Sequence, residues 1–246
     1  MPGDRETSIY ISDYVRPEKL EQRRSVDPET ILPPPRRNSQ TRLRYVPPKV
    51  GNPTPLGLSA FALSVMVLSL YDCHAFGIHI PNAAVGVSLF TGGVVQFAAG
   101  MWEFKVGNTF GGTGFSAFGG FWASFGVLYL DSFGIKQAFQ STDGDLDGYY
   151  NALGVYGAAW TIFTFIFTIA CLRTNLGVLS AFVFLTGDFV FYTIFQFSQV
   201  AIFETISGVL GLICSMIVWY CFAAVLWTPD LSPISLPLWD LSKKDQ

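Results

Sequence analysis

Beyond residue 50, long apolar runs alternate with short polar segments. Six runs stand out, at 55–71, 84–102, 115–130, 153–172, 176–198 and 202–227. A helix that crosses a bilayer needs about 20 residues, within a range of about 17–25, and each run is close to that length. Strands of a membrane barrel would instead alternate over about ten residues. Because lipid satisfies no backbone group, the runs predict an all-α, polytopic membrane protein with six transmembrane helices.

The first 50 residues differ in composition from the rest of the chain. They hold 10 of the 15 Lys+Arg and 7 of the 18 Asp+Glu, and they are rich in proline and serine. The remaining residues carry too few charges to cover a soluble surface, since soluble domains are about 25% charged. We therefore predict a disordered cytosolic tail over 1–50. A six-helix transmembrane transport domain over 51–228 and a short cytosolic C-terminal tail over 229–246 follow it.

Cationic residues set the predicted orientation. With six spans, one side of the membrane holds the N-terminal tail, the 103–114 loop, the 172–175 turn and the C-terminal tail. These segments contain 14 of the 15 Lys+Arg, and Lys136 is the exception. Because cytosolic loops carry the excess of cations, both termini are predicted to be cytosolic.

Small residues recur at regular intervals in two of the runs. In and just past the second run every seventh residue is a glycine, namely Gly86, Gly93, Gly100 and Gly107. The sixth run contains a small-xxx-small series of Ser207, Gly211 and Ser215. Small residues allow close backbone contact between helices in lipid, where the hydrophobic effect does not drive association. We interpret both series as packing surfaces. A pore-lining role is the less favoured alternative.

Asparagine and proline residues stand where the odd-numbered runs begin. The first run follows Asn52 and Pro53, the third follows a segment that contains Asn108, and the fifth follows Asn175. The plain interpretation is a set of capped helix starts at the cytosolic face. A helix N-terminus also presents free N–H groups and a positive dipole end to anions. Three such ends could surround a cytosolic vestibule suited to carboxylates.

Two motifs resemble a known family. Residues 52–58 read NPTPLGL, which resembles the NPxPLGL signature of the acetate uptake transporter family. Residues 92–111 read GGVVQFAAGMWEFKVGNTFG and are similar to the family's passage from the second helix to the third. This family includes bacterial succinate–acetate permeases and fungal acetate and ammonia-export proteins. The resemblance covers about 52–227. It implies six helices per protomer, a homo-hexamer and a conduction path through each protomer.

The resemblance also implies functional positions. The family's path narrows at a Phe–Tyr–Leu constriction, which corresponds here to Phe61, Phe118 and Leu185. Phe118 stands at the tyrosine position, so the constriction keeps its bulk but loses a hydroxyl. Glu103 is either a vestibule residue or a structural partner of Lys105 or of the Asn108 turn. The predicted cytosolic vestibule comprises Asn52, Pro53, Pro55, Leu56, Gly57, Glu103, Asn108 and Thr109.

Asp188 is a candidate that the family pattern does not supply. It lies near the middle of the fifth run, on the same helical face as Leu185. A charge at that depth costs from about 2.5 to more than 10 kcal/mol, so such residues face a protein interior or a wet cavity and often carry protons. We therefore consider Asp188 a candidate for proton coupling. A packing role, with a hydrogen bond to a hydroxyl on a neighbouring helix, is the somewhat favoured alternative.

We predict that the protein passes acetate and similar small monocarboxylates together with protons, either as a symporter or as a channel. No catalytic triad, paired-carboxylate site or phosphate-binding loop is evident. We therefore predict no enzyme activity, no cofactor, no metal site and no nucleic-acid partner. An ammonia or ammonium export pathway and a membrane nutrient sensor are the alternatives. The long N-terminal tail resembles fungal members, which implies the plasma membrane of a fungus.

Overall fold

The computed structural model describes residues 50–143 and 146–242. The predicted disordered tail over 1–50 therefore lies outside the described residues, except for Val50. Within the described ranges the chain is helical, and its β pairing is limited to one antiparallel bridge between Asn175 and Asp240. The predicted all-α class is confirmed.

Seven helices carry the described part of the fold. Their bounds in chain order are α1 (Thr54–Asp72), α2 (Ala84–Gly86, Val87–Val95 and Gln96–Lys105), α3 (Thr109–Leu128), α4 (Ile135–Asp143), α5 (Asp147–Ala170), α6 (Leu176–Ser198) and α7 (Ala201–Leu226). The middle segment of α2 is a π-helix. Short 3₁₀ turns cover Ala75–Gly77, Pro81–Ala83, Asp131–Phe133 and Cys171–Arg173.

Five of these helices are long and apolar enough to cross a membrane, namely α1, α2, α5, α6 and α7. The remaining long helix, α3, has 20 residues, which is also a spanning length. Six of its residues are glycines, which lower its apolar character. Five spans are therefore supported by length and composition, and the count of six stays a prediction.

Two helices begin earlier than the apolar runs indicated. Helix α3 starts at Thr109 rather than at residue 115, and α5 starts at Asp147 rather than at residue 153. In both cases the extra first turns contain glycine or polar residues, which an apolar pattern does not register. Helix α4 was not predicted, since its polar, amphipathic sequence contains no apolar run.

The long helices form a bundle around an internal space. Helix α7 packs against α1 and α6, and α2 packs against α1 and α3. Helix α5 covers α6 and α3 from outside. Its Trp160 ring lies 5.8 Å from the Phe118 ring of α3, and its Phe167 ring stacks 5.6 Å from the Phe182 ring of α6. Residues of α1, α2, α3, α6 and α7 line the internal space.

The small-residue series has mixed roles. A Cβ added at Gly93 would lie 3.2 Å from the Cβ of Ala123 on α3, and one added at Gly211 would lie 2.9 Å from a carboxylate oxygen of Asp188 on α6. These two glycines permit close helix contact, as predicted. Gly107 instead forms a turn with φ of +88°, and a Cβ at Gly86 would meet open space. The seven-residue spacing therefore does not define one continuous packing stripe.

Candidate functional site

Two cavities lie along the bundle interior. Cavity 1 has a volume of about 250 Å³ and extends from the N-terminal ends of α1, α3 and α6 into the bundle. Cavity 2 has a volume of about 40 Å³ and lies towards the opposite ends of these helices. Phe61 and Leu185 line both cavities. These two apolar side chains therefore lie at the junction of the two spaces.

The structure brings the three predicted constriction residues together. The Phe61 and Phe118 rings meet edge to face with centroids 5.5 Å apart. Phe118 and Leu185 are 2% and 3% exposed, and Phe61 is 8% exposed. We call these three residues the neck. Their packing at the junction of the cavities is a geometric finding, and their role as a gate stays a prediction.

Three helix N-termini meet at one end of cavity 1. Thr54, Asn108 and Asn175 all line it. The Oδ1 atom of Asn108 accepts from the Gly111 amide at 3.0 Å, and that of Asn175 accepts from the Val178 amide at 2.9 Å. These are N-cap bonds, so α3 and α6 start where the asparagines indicate. Their positive dipole ends converge on one cavity mouth.

A buried carboxylate ties two of these helix starts together. Glu103, at the end of α2, is 1% exposed. Its Oε1 accepts from the Thr54 hydroxyl at 2.5 Å, and its Oε2 accepts from the Asn108 side-chain amide at 2.8 Å. Both oxygens of Glu103 are therefore engaged in structural bonds. The sequence left Glu103 as either a vestibule residue or a structural partner. This geometry favours the structural role, with Asn108 rather than Lys105 as partner.

The remaining predicted vestibule residues do not line cavity 1. Pro53 and Gly57 are buried by packing, and a Cβ at Gly57 would lie 2.5 Å from the Phe115 ring. Leu56 and Thr109 are exposed on the outside of the helices. Asn52 accepts the Thr54 amide at 3.1 Å, and Pro55 is half-buried in the first turn of α1. Of the predicted vestibule residues, Asn108 therefore lines cavity 1, and a vestibule role for the others stays a prediction.

The C-terminal segment folds back over the mouth of cavity 1. The Leu176 amide donates to the Trp239 carbonyl at 3.0 Å, and the Leu241 amide donates to the Thr174 carbonyl at 2.9 Å. These two bonds hold the segment against the start of α6. They place the Leu238 side chain among the residues that line the cavity. The sequence indicated a short tail here and gave no sign of this contact.

Asp188 lies on the cavity 2 side of the neck. It lines that cavity together with Asp72, Tyr192 and Ser207. Its Oδ1 accepts a short hydrogen bond from the Ser207 hydroxyl on α7. The structure therefore supplies the hydroxyl partner that the packing alternative requires. It also places the carboxyl beside an internal cavity, as the proton-coupling alternative requires.

Two polar side chains that sequence reasoning did not single out lie at these cavities. Gln96 lines cavity 1 and Trp122 lines cavity 2. Both are almost fully buried, at 0% and 2% exposure. Neither the Gln96 amide nor the Trp122 indole nitrogen has a hydrogen-bond partner among the described residues. The sequence of an apolar run does not show whether a polar side chain in it has a hydrogen-bond partner on a neighbouring helix.

A bundle of membrane-spanning helices around an interrupted internal path defines a multi-pass membrane protein with a candidate transport route. Residues 37–243 match the GPR1/FUN34/yaaH family, and the chain belongs to that family. It is 40% identical over 198 residues to Ammonia transport outward protein 2 of Saccharomyces cerevisiae, covering 80% of this chain and 69% of that protein. It is 44% identical over 138 residues to Acetate permease A of Emericella nidulans, covering 56% of this chain and 46% of that protein.

A solved structure has the same fold. The bacterial acetate channel SatP superposes with a TM-score of 0.67 at 29% identity, over 77% of this chain and 99% of that one. The match therefore includes most of the helical bundle. By contrast, the chain spans less than half of the permease named above. The resemblance inferred from the two sequence motifs is confirmed.

Proposed function

We propose that this protein is a membrane transporter or channel for acetate and similar small monocarboxylates. The observation that carries the proposal is the path itself, in which converging helix N-termini open into a cavity that ends at an apolar neck. Positive helix ends favour a carboxylate at the mouth. A dry constriction opposes hydrated ions by dewetting. Similarity to a bacterial acetate channel and to a fungal acetate permease supports the same substrate class.

The neck residues Phe61, Phe118 and Leu185 act in this proposal as the size filter. Asp188 is the candidate for proton coupling, because it lies next to cavity 2 beyond the neck. Its bond to Ser207 also supports a packing role. A weaker pH dependence of flux after replacement of Asp188 would support proton coupling, and an unchanged one would support packing.

Purified protein in liposomes tests the proposal directly. Labelled acetate should enter protein-containing vesicles faster than empty ones, and an inward proton gradient should raise the rate if protons accompany acetate. A rate equal to that of empty vesicles, with folded protein present, would refute acetate transport. Ammonia-driven pH change without acetate flux would instead support the second candidate, which similarity to an ammonia transport protein favours. A sensor would produce neither signal.

The assembly and location are part of the proposal. We expect a homo-hexamer with both termini in the cytosol, in the plasma membrane of a fungus. The curated relatives named above are fungal, which supports the source. Mass measurement in detergent and external protease treatment of intact cells would test the hexamer and the orientation. A stable monomer or rapid cleavage of the N-terminal tail from outside would contradict them.

A further inference from the structure

Gln96 is a buried polar side chain of the path whose donor and acceptor are both without a partner among the described residues. It begins the last segment of α2, directly after the π-helical segment, and it lines cavity 1. It is fully buried, and both its Nε2 and its Oε1 lack hydrogen-bond partners among the described residues. Leaving a buried donor or acceptor unsatisfied costs about 1–3 kcal/mol. Such a group requires a partner from the cavity, which is either water or a ligand that can supply the missing bonds.

Contacts along α2 fix the depth of Gln96. A Cβ added at Gly92 would lie 2.8 Å from the hydroxyl of Ser64 on α1, and Glu103 bonds to Thr54 near the start of α1. Helices α1 and α2 therefore run antiparallel in a fixed register. Gln96, four residues beyond Gly92, lies opposite the part of α1 that is about one turn before Ser64. That part contains the neck residue Phe61.

Contacts with α3 give the same depth independently. A Cβ added at Gly119 would lie 2.8 Å from the backbone nitrogen of Phe97. Gln96 and Phe118 are the immediate chain neighbours of these two residues, and both line cavity 1. Gln96 therefore lies at the level of the neck. It is a polar side chain at the level where the two cavities meet.

The charged groups around the path lie away from Gln96. Glu103 is seven residues further along α2, and its oxygens accept from Thr54 and Asn108. Among the described residues that line cavity 1, none carries a charged side chain. The charged groups nearest to the path on the other side of the neck are Asp72 and Asp188, which line cavity 2. A bare carboxylate in such a place would be strongly disfavoured unless paired with charge, whereas a neutral acid would not.

We propose that Gln96 binds the protonated form of the substrate acid at the neck through a two-point hydrogen-bonded pair. The Nε2–H group donates to the acid's carbonyl oxygen, and Oε1 accepts from the acid's O–H. This pairing satisfies both unpartnered atoms, because a primary amide offers a donor and an acceptor side by side. A carboxylate has no donor, so it would leave Oε1 unsatisfied and place negative charge against it. The acid keeps its proton, and no bond is broken.

This inference rests on the proposed acetate transport and identifies the species that crosses the neck. It also accounts for proton movement with the substrate without a titrating residue at the neck. Positive helix ends can gather acetate at the mouth. The neck then admits the fraction that carries a proton.

Competition against labelled acetate in liposomes tests the protonation state. Acetamide is neutral and presents the same acceptor and donor as acetic acid, so it should inhibit acetate flux. Methanesulfonate has a similar size but remains anionic, so it should inhibit far less. Stronger inhibition by methanesulfonate than by acetamide would overturn the proposal.

Gln96→Met tests the residue, with Gln196→Met as the matched control. Gln196 is also buried and has an unpartnered Oε1, but it lines neither cavity. Loss of two neutral hydrogen bonds should lower acetate flux at low concentration by at least about fivefold and abolish inhibition by acetamide. The control Gln196→Met should keep both the acetate flux and its inhibition by acetamide. Since Gln96→Met removes no bond within the protein, it should fold.

Two outcomes separate this inference from the transport proposal. If the unaltered protein carries no acetate at all, acetate transport itself fails. If it carries acetate, but Gln96→Met matches it in flux and in acetamide inhibition, then the Gln96 pairing alone is wrong. The competition arm uses the unaltered protein and decides the question even if a variant folds poorly.

Discussion

Glu103 makes the sharpest test of how the cavity mouth is held together. Its two oxygens accept from Thr54 at 2.5 Å and from Asn108 at 2.8 Å, and the side chain is 1% exposed. Hydrogen bonds to a charged group contribute about 1.5–3 kcal/mol each. Glu103→Ala should therefore lower the free energy of unfolding by about 3–6 kcal/mol. It leaves the Asn108 amide and the Thr54 hydroxyl without their acceptor.

Glu103→Gln should be much milder. A glutamine can accept from Asn108 through Oε1 while its Nε2 donates to the Thr54 hydroxyl oxygen, so both contacts survive as neutral bonds. Neutral bonds are about half as strong as charge-assisted ones, so the loss should be about 1.5–3 kcal/mol. A larger loss of stability in Glu103→Ala than in Glu103→Gln would therefore show that Glu103 bonds to Thr54 and Asn108.

Thermal unfolding in detergent measures these losses. For a chain of this size, 1 kcal/mol shifts Tm by about 2–4 °C, so Glu103→Ala should lower Tm by about 6–24 °C. Thr54→Val should lower Tm in the unaltered chain but have little further effect in the Glu103→Ala background, because the pair shares one bond. Ser59→Ala is the control, since the Ser59 hydroxyl bonds to a carbonyl of its own helix. The expected shift is about 6 °C or more. A Tm for Glu103→Ala within about 2 °C of that of the unaltered protein would refute the bonds from Glu103 to Thr54 and Asn108.

Three further variants probe the path. Leu185→Ala opens the junction between the two cavities and should raise flux of longer acids relative to acetate. Unchanged chain-length preference in liposomes would argue against a size filter. Asp188→Asn keeps the Ser207 bond in shape and should reduce the pH dependence of flux to that set by protonation of the acid itself only if Asp188 carries protons. Unchanged pH dependence would leave it as a packing residue. Leu238→Ala should speed acetate entry from the side of cavity 1, and equal rates would show that the C-terminal segment does not restrict the mouth.

Local chemistry made much of the fold predictable. Asn108 and Asn175 mark helix starts because their side chains satisfy amides that the helix leaves free. Long apolar runs mark spans because lipid admits few other structures. The same pattern missed the first turns of α3, where glycine and threonine carry little apolar character. It also missed α4, since a polar helix outside the apolar runs has no signal of that kind.

The site was less accessible to sequence reasoning. Phe61, Phe118 and Leu185 could be grouped only through resemblance to a family, because they lie on three helices that are far apart in the chain. Sequence reasoning did not identify Gln96 or Leu238 as site residues. Gln96 matters because its amide has no hydrogen-bond partner among the described residues, and Leu238 matters because it covers the mouth of cavity 1. Such properties arise from tertiary packing, and a single sequence does not encode them in any local pattern.

The hydroxyl that is missing at Phe118 gives the Gln96 proposal a final test. Family resemblance implies a tyrosine at this position, and Phe118 lies in the neck at the same level as Gln96. A tyrosine hydroxyl can donate one hydrogen bond and accept another, so it can pair with a carboxylic acid. If Gln96 supplies the polar contact at the neck, then Phe118→Tyr should restore part of the acetate flux that Gln96→Met removes. Flux through the double variant should exceed that of Gln96→Met at low acetate concentration, and it should regain some inhibition by acetamide. If Phe118→Tyr lowers flux to the same extent with and without Gln96, its effect is steric, and the two positions do not share a role in binding the acid.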